Sequence, residues 1–129
     1  MQKYDEWTKV KRKIDSKEKL ITYKERDIFW ANIGENIGFE QNGKGSDFMR
    51  PILVFRKFTN KMFFGIPLST QLRDGSFFFQ FQFLEDKKST ALLVQAKMFD
   101  VKRLDRRIGM INKDDFKNLE SKMRELMKL

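Results

Sequence analysis

From Phe77 to Phe83 the chain reads Phe-Phe-Phe-Gln-Phe-Gln-Phe. Phe79, Phe81 and Phe83 alternate with Gln80 and Gln82. A polar–apolar period of two belongs to a strand with one face buried and the other wet. We assign Phe79, Phe81 and Phe83 to a core, because a phenylalanine stripe at strand spacing is packing material first. Phe78 stays open between packing and the stacking of a nucleic-acid base. Further apolar runs follow the same logic. Asp27 to Ala31, Pro51 to Phe55, Met62 to Ile66 and Thr90 to Gln95 each suit a short strand, with Pro51 and Pro67 opening or closing their runs. Several short strands joined by turns suggest a compact barrel or a strongly curved sheet.

The ends of the chain read differently. Trp7, Val10 and Ile14 recur at helical spacing among Lys9, Lys11, Arg12 and Lys13, so residues 1–24 are expected to carry a short amphipathic helix and a linker. That segment packs over an edge of the body or serves as a basic arm, and packing is the reading we favour. Residues 25–129 form the body. Near its end, Asp100–Arg103 reads as a turn of helix and Arg107–Ile111 as a brief strand. Asn112 can cap a closing helix that presents Phe116, Leu119, Met123 and Leu126 on one face. Between Gly34 and Asp47 lie Gly34, Gly38, Gly43 and Gly45, which mark a long loop.

Composition excludes several chemistries. The chain has no cysteine and no histidine. It therefore has no disulfide framework, no thiolate nucleophile, and neither of the commonest general base and metal ligand. No carboxylates fall at a recognisable ligand spacing, and no nucleotide-cradling glycine motif occurs, so neither a metal nor a cofactor is expected. The N-terminus Met1-Gln2-Lys3-Tyr4-Asp5-Glu6-Trp7 lacks the apolar stretch of a signal peptide, and no apolar run could span a bilayer; a cytoplasmic location is the expectation. The formal charge is +9. Such a basic domain is biased toward polyanions, but an acidic protein, a membrane surface or simply a solvated basic surface suits the same charge, and charge alone chooses among none of them.

Two places could carry chemistry. Arg50 stands where the glycine-rich loop enters a buried strand, and its rigid fork of donors suits phosphate. Taken locally, it reads rather as a solvated arginine or an ion pair with Glu40 or Asp47. Ser69-Thr70-Gln71 follows Ile66-Pro67-Leu68 and offers two hydroxyls and an amide at a strand end. Taken locally, it reads rather as a turn whose hydroxyls satisfy backbone groups.

The order of these features resembles the MazF/PemK toxin family. Arg26-Asp27-Ile28-Phe29-Trp30 resembles that family's first strand, and Gly38-Phe39-Glu40-Gln41 its G-x-E-Q loop. Arg50-Pro51-Ile52-Leu53-Val54 resembles its R-P-hydrophobic strand, and Pro67-Leu68-Ser69-Thr70-Gln71 its P-x-T-[TS] segment. Ser89 to Asp100 resembles its closing strand. The likeness covers residues 25–129. It implies a mainly β, SH3-like barrel with a C-terminal helix, to which this chain adds an N-terminal helix.

The function implied is that of a metal-independent endoribonuclease toxin that cuts single-stranded RNA. It would act as a homodimer restrained by an acidic antitoxin protein. Such enzymes use the substrate's own 2′-hydroxyl as nucleophile and leave 2′,3′-cyclic phosphate and 5′-hydroxyl ends. The resemblance makes Arg50 and Ser69 the catalytic pair. It assigns Glu40, Gln41, Thr70, Gln71, Gln95 and Lys97 to substrate binding. Ser69 stands where the family usually has threonine, and Lys97 where many relatives have arginine. Leu92 and Val94 occupy the positions of an Arg-x-Asp pair found in the PemK branch, so that pair is missing. Relatives of this fold also poison DNA gyrase, which makes a non-catalytic growth-inhibiting module the alternative.

Overall fold

The structure, a computed structural model, describes residues 21–33 and 49–129. The expected N-terminal helix, the glycine-rich loop, Glu40 and Gln41 lie outside the described residues.

The two longest apolar runs become the middle of a sheet. Strand β1 (Asp27–Asn32) pairs antiparallel with β2 (Met49–Lys57), and β2 with β3 (Met62–Ser69). These strands are apolar at consecutive positions because both their faces are covered. Ile28, Leu53, Ile66 and Leu68 point to one core; Phe29, Ile52, Val54 and Phe63 point to the other. The strand order is β4-β5-β3-β2-β1-β7, where β4 is Phe78–Leu84, β5 is Lys87–Leu92 and β7 is Leu104–Met110. Strand β6 (Lys97–Asp100) also pairs with β3. The sheet curls until its two edge strands meet, and a Cβ built on Gly109 of β7 would stand 2.5 Å from the ring of Phe83 in β4.

Helix α1 (Lys113–Met127) closes one face. Asn112 caps it, its side chain accepting from the Asp115 N–H at 2.7 Å, and Asp114 and Asp115 place negative charge at the helix's positive end. Phe116, Leu119 and Met123 are buried against the first core, with Leu126 at its margin. Arg56 of β2 ties the helix down: it pairs with Glu120 and lies 4.5 Å from the centre of the Phe55 ring.

The second core draws in the chain that precedes β1. Tyr23 is buried, its hydroxyl donating to the carbonyl oxygen of Thr59 at 2.6 Å with that of Met62 at 3.0 Å. Lys57 donates to the Tyr23 carbonyl and sits 4.6 Å from its ring centre. Residues 21–25 are thereby pinned across the β2–β3 hairpin.

The structure corrects four readings of the sequence. The run from Thr90 to Gln95 is not one strand: β5 ends at Leu92 and residues Leu93–Gln95 form a 3-10 turn. The Leu93 N–H still bonds the Phe77 carbonyl in the β4–β5 register, and the chain then turns away as the Ala96 N–H closes on the Leu93 carbonyl. Both prolines lie inside strands rather than at their ends. Pro67 sits where β3 passes from β6, whose pairing ends at Gly65, to β5, whose pairing starts at Leu68. A missing N–H falls in that gap without breaking a ladder bond. Of the three phenylalanines assigned to the core, Phe81 is buried, while Phe79 and Phe83, on the outermost strand, are only half-buried and pack against that core from its edge. The brief strand expected from Arg107 begins three residues earlier, at Leu104.

Candidate active site

Strand register decides which side chains meet. Arg50 is paired with Ala31 on β1, and paired residues point to the same face of a sheet. Ile52 pairs with Pro67; carried two residues further along both strands, that register brings Arg50 opposite Ser69. The two residues of the expected catalytic pair therefore come together, from strands joined by a hairpin.

Arg50 is not the solvated arginine that its local sequence allowed. It is 3% exposed, and its Nη1 donates to the carbonyl oxygen of Leu68 at 2.9 Å. Burial pushes its pKa below the ordinary arginine value by desolvating the charged form. The guanidinium nevertheless remains charged at neutral pH. A poorly hydrated cation fixed by a backbone carbonyl is pre-organised for an anion, because little water must be removed from it on binding.

Ser69 is half-buried at the end of β3, and its Oγ accepts from the Gln71 N–H at 3.1 Å. This is the turn contact expected of a strand-end serine, and it also has a chemical consequence. With the oxygen engaged as an acceptor, the hydroxyl proton is left to donate. Thr70 and Gln71 are exposed. The Gln71 Oε1 accepts from Arg73 Nη2 at 3.1 Å, so the turn leads directly to a second arginine.

Gln95 and Lys97 lie further along the sheet. Gln95 closes the 3-10 turn and is half-buried. Lys97 pairs with Gly65 of β3, is exposed, and holds its Nζ 5.5 Å from the Phe99 ring centre. Gly65 lies four residues from Ser69 on the same face of β3, which separates Lys97 from the Arg50–Ser69 pair by about 13 Å. Leu92 is buried and Val94 exposed, so neither place of the missing Arg-x-Asp pair holds a titratable group.

Sequence reasoning missed the residues that extend the site across β5 and β4. Ser69 pairs with Thr90, and Thr90 with Gln80. The Thr90 Oγ1 accepts from the Arg73 N–H at 3.2 Å. Gln80 Nε2 donates to the Arg73 carbonyl at 3.0 Å and to Asp74 Oδ1 at 2.9 Å. One signal was available: the alternation that sends Phe79 and Phe81 inward sends Gln80 outward.

Comparison with known proteins agrees with this architecture. The solved structures that resemble the chain include Mycobacterium tuberculosis toxin MazF-mt6, at 17% identity and a TM-score of 0.61 over 81% of this chain and 98% of that one. MazF from Deinococcus radiodurans matches at 15% identity and a TM-score of 0.66, over 84% and 99%. An endoribonuclease from a mycobacterial species, solved with its cognate antitoxin, matches at 9% identity and a TM-score of 0.60, over 84% and 97%. At such identities the likeness is one of fold. Among curated proteins the sequence finds no match. Residues 24–127 match the family described as PemK-like, MazF-like toxin of type II toxin-antitoxin system, and the chain belongs to that family.

Proposed function

We propose that the protein is an endoribonuclease toxin that cuts single-stranded RNA without a metal ion and is held in check by an antitoxin. The observation that carries this reading is the buried Arg50, locked to the Leu68 carbonyl beside the Ser69 hydroxyl.

In this reading the ribose 2′-oxygen attacks the adjacent phosphorus. The 2′-hydroxyl gives up its proton as this bond to phosphorus forms. The bond from phosphorus to the 5′-oxygen breaks, and the 5′-oxygen takes up a proton and leaves as a hydroxyl, so no net proton is gained or lost. The products are a 2′,3′-cyclic phosphate and a 5′-hydroxyl end. A chain without histidine or cysteine suits this route, since the substrate supplies the attacking group. Arg50 holds the scissile phosphate and stabilises the charge that builds on its oxygens. Ser69, its oxygen already engaged by Gln71, donates a hydrogen bond to a phosphoryl oxygen. Thr70 and Gln71 contact the sugar–phosphate chain from the exposed turn, and Gln95 and Lys97 contact nucleotides further along. Glu40 and Gln41, outside the described residues, are assigned to the substrate loop. The protein works as a homodimer in the cytoplasm, and its positive charge attracts an acidic antitoxin segment as well as RNA. Solved relatives include a MazE–MazF assembly from Deinococcus radiodurans and the mycobacterial toxin with its antitoxin, which supports an antitoxin partner.

The test is a cleavage assay with EDTA present. Purified protein should cut single-stranded RNA and leave 5′-hydroxyl ends, while Arg50→Ala and Ser69→Ala, shown by circular dichroism to be folded, should cut far more slowly. A mixed RNA pool left intact at low salt would instead favour a non-catalytic growth inhibitor. Normal cutting by both variants would remove the catalytic assignment.

A further inference from the structure

Strand pairing carries the face that bears Arg50 and Ser69 onto the β4–β5 hairpin. Ser69 pairs with Thr90 of β5, and Thr90 with Gln80 of β4. Gln80 therefore lies two inter-strand spacings from Ser69, about 10 Å. Its strand neighbour on the same face is Phe78, since Phe79 and Phe81 turn to the opposite side and pack in the core.

Gln80 is held in one orientation. Both hydrogen-bond partners of its side chain, the Arg73 carbonyl and the Asp74 carboxylate, are acceptors, so the NH2 end must face them. The amide cannot flip without losing both bonds. Its Oε1 accepts nothing among the described residues and is presented as an acceptor in a fixed place. Beside it, the Arg73 guanidinium carbon stands 5.7 Å from the centre of the Phe78 ring. Arg73 is itself fixed, through its N–H to Thr90 and through its Nη2 to Gln71 in the Ser69 turn. An aromatic ring, a planar cation and an oriented amide thus form one unit, joined by hydrogen bonds and the ring–cation contact, that runs from the Ser69 turn.

We propose that Phe78, Arg73 and Gln80 form a base-reading subsite for a nucleotide flanking the scissile phosphate. The base stacks on the Phe78–Arg73 pair, a contact open to any base. Gln80 Oε1 then accepts from the amino group that adenine carries at C6 and cytosine at C4. The subsite favours these two bases over guanine and uracil, which carry an oxo group at that position and would meet Oε1 with a lone pair. Asp74 acts as a positioning residue that keeps the amide from turning. This inference rests on the nuclease reading for its substrate, but it concerns which base is held rather than how the bond is cut.

The experiment selects bound sequences from a random single-stranded RNA pool carrying 2′-fluoro sugars, which lack the nucleophile and so separate binding from cutting. Wild type should enrich adenine and cytosine at one position. Gln80→Leu should reduce that amino-over-keto ratio about tenfold. Asp74→Ala should relax the ratio while largely keeping affinity. Phe78→Leu, which keeps an apolar side chain but loses the ring, should weaken binding of all sequences about tenfold. Gln82→Leu, the next outward glutamine, should leave the ratio unchanged. A wild type with no positional preference, or a ratio that survives Gln80→Leu, overturns the subsite. If unmodified RNA is cut in an Arg50-dependent way while the ratio ignores Gln80, the subsite fails alone. If the pool shows the Gln80-dependent preference but unmodified RNA stays intact, the subsite stands and the nuclease reading fails. A protein that neither binds nor cuts removes both.

Discussion

At the scale of single residues, Arg50 and Ser69 differ in how much of each was legible. The sequence showed an arginine at the mouth of a strand and left its burial open. Its burial follows from alternation, because Arg50 lies two residues before Ile52 and four before Val54, both buried on the same face. A carbonyl that helps to fix it, that of Leu68, belongs to another strand, and no local pattern encodes that contact. Ser69 was legible in both its readings, as a turn former and as a hydroxyl donor, and the Gln71 contact makes the two compatible. Ser69→Thr should therefore keep most activity, since it keeps the hydroxyl. Ser69→Ala should lower kcat by about ten- to a hundredfold with little change in KM, as expected when one transition-state hydrogen bond is lost. Initial-rate measurements on a single RNA substrate check this. Gly65 makes a stability prediction. A Cβ there would stand 2.8 Å from Ile52 Cγ2 and from the Phe63 ring, and 2.9 Å from the Phe99 ring. Gly65→Ala should cost about 1–3 kcal/mol by overpacking, read from urea denaturation.

At the scale of elements, the closing helix was the most legible part of the chain. Its cap and apolar stripe are both local, and Asn112, Phe116, Leu119 and Met123 all do what their spacing implies. Strands β1 to β3 were legible as runs, but their ends were not. Apolar continuity says that a segment is buried without saying where its ladder stops, and β5 gives way after Leu92 to a 3-10 turn closed by the Ala96 N–H on the Leu93 carbonyl. The strap at residues 21–25 shows a different blind spot. Tyr23 sits in a polar stretch, and its burial depends wholly on carbonyls of the distant β2–β3 turn. That placement has a pH signature. Burial raises the Tyr23 pKa above the ordinary value of 10.0 by disfavouring the phenolate. The folded state then keeps its proton at a pH where the unfolded state has lost it. The stability supplied by the neutral phenol is complete below about pH 10 and falls as pH rises through the folded pKa. Melting temperatures between pH 8 and pH 12 should show an alkaline decline that is reduced in Tyr23→Phe, a variant less stable than wild type at pH 8. Equal declines in both proteins would place the alkaline sensitivity elsewhere.

At the scale of the whole molecule, the curled sheet divides its work between two faces. One is closed by α1, and no helix among the described residues is long and apolar enough to cross a membrane. On the other, register places Arg50 and Lys97, and across the hairpin Lys88, which pairs with Gln82. Arg73 joins them through its contacts with Gln71 and Thr90. The +9 charge counted from the sequence is thus partly gathered along one path, which composition alone cannot reveal. If four such cations contact phosphates, the logarithm of the affinity for single-stranded RNA should fall with the logarithm of salt concentration with a slope of about −3. Lys88 tests the path, because it is exposed at the far end of the hairpin. Lys88→Ala should flatten the slope by about one and weaken binding equally for all sequences, whereas a base-reading residue would change the sequence preference. Fluorescence anisotropy from 50 to 200 mM salt would measure both effects. A slope near zero in the wild type would mean that phosphates are not what this face holds. An unchanged slope in Lys88→Ala would confine RNA to the Arg50 end of the sheet.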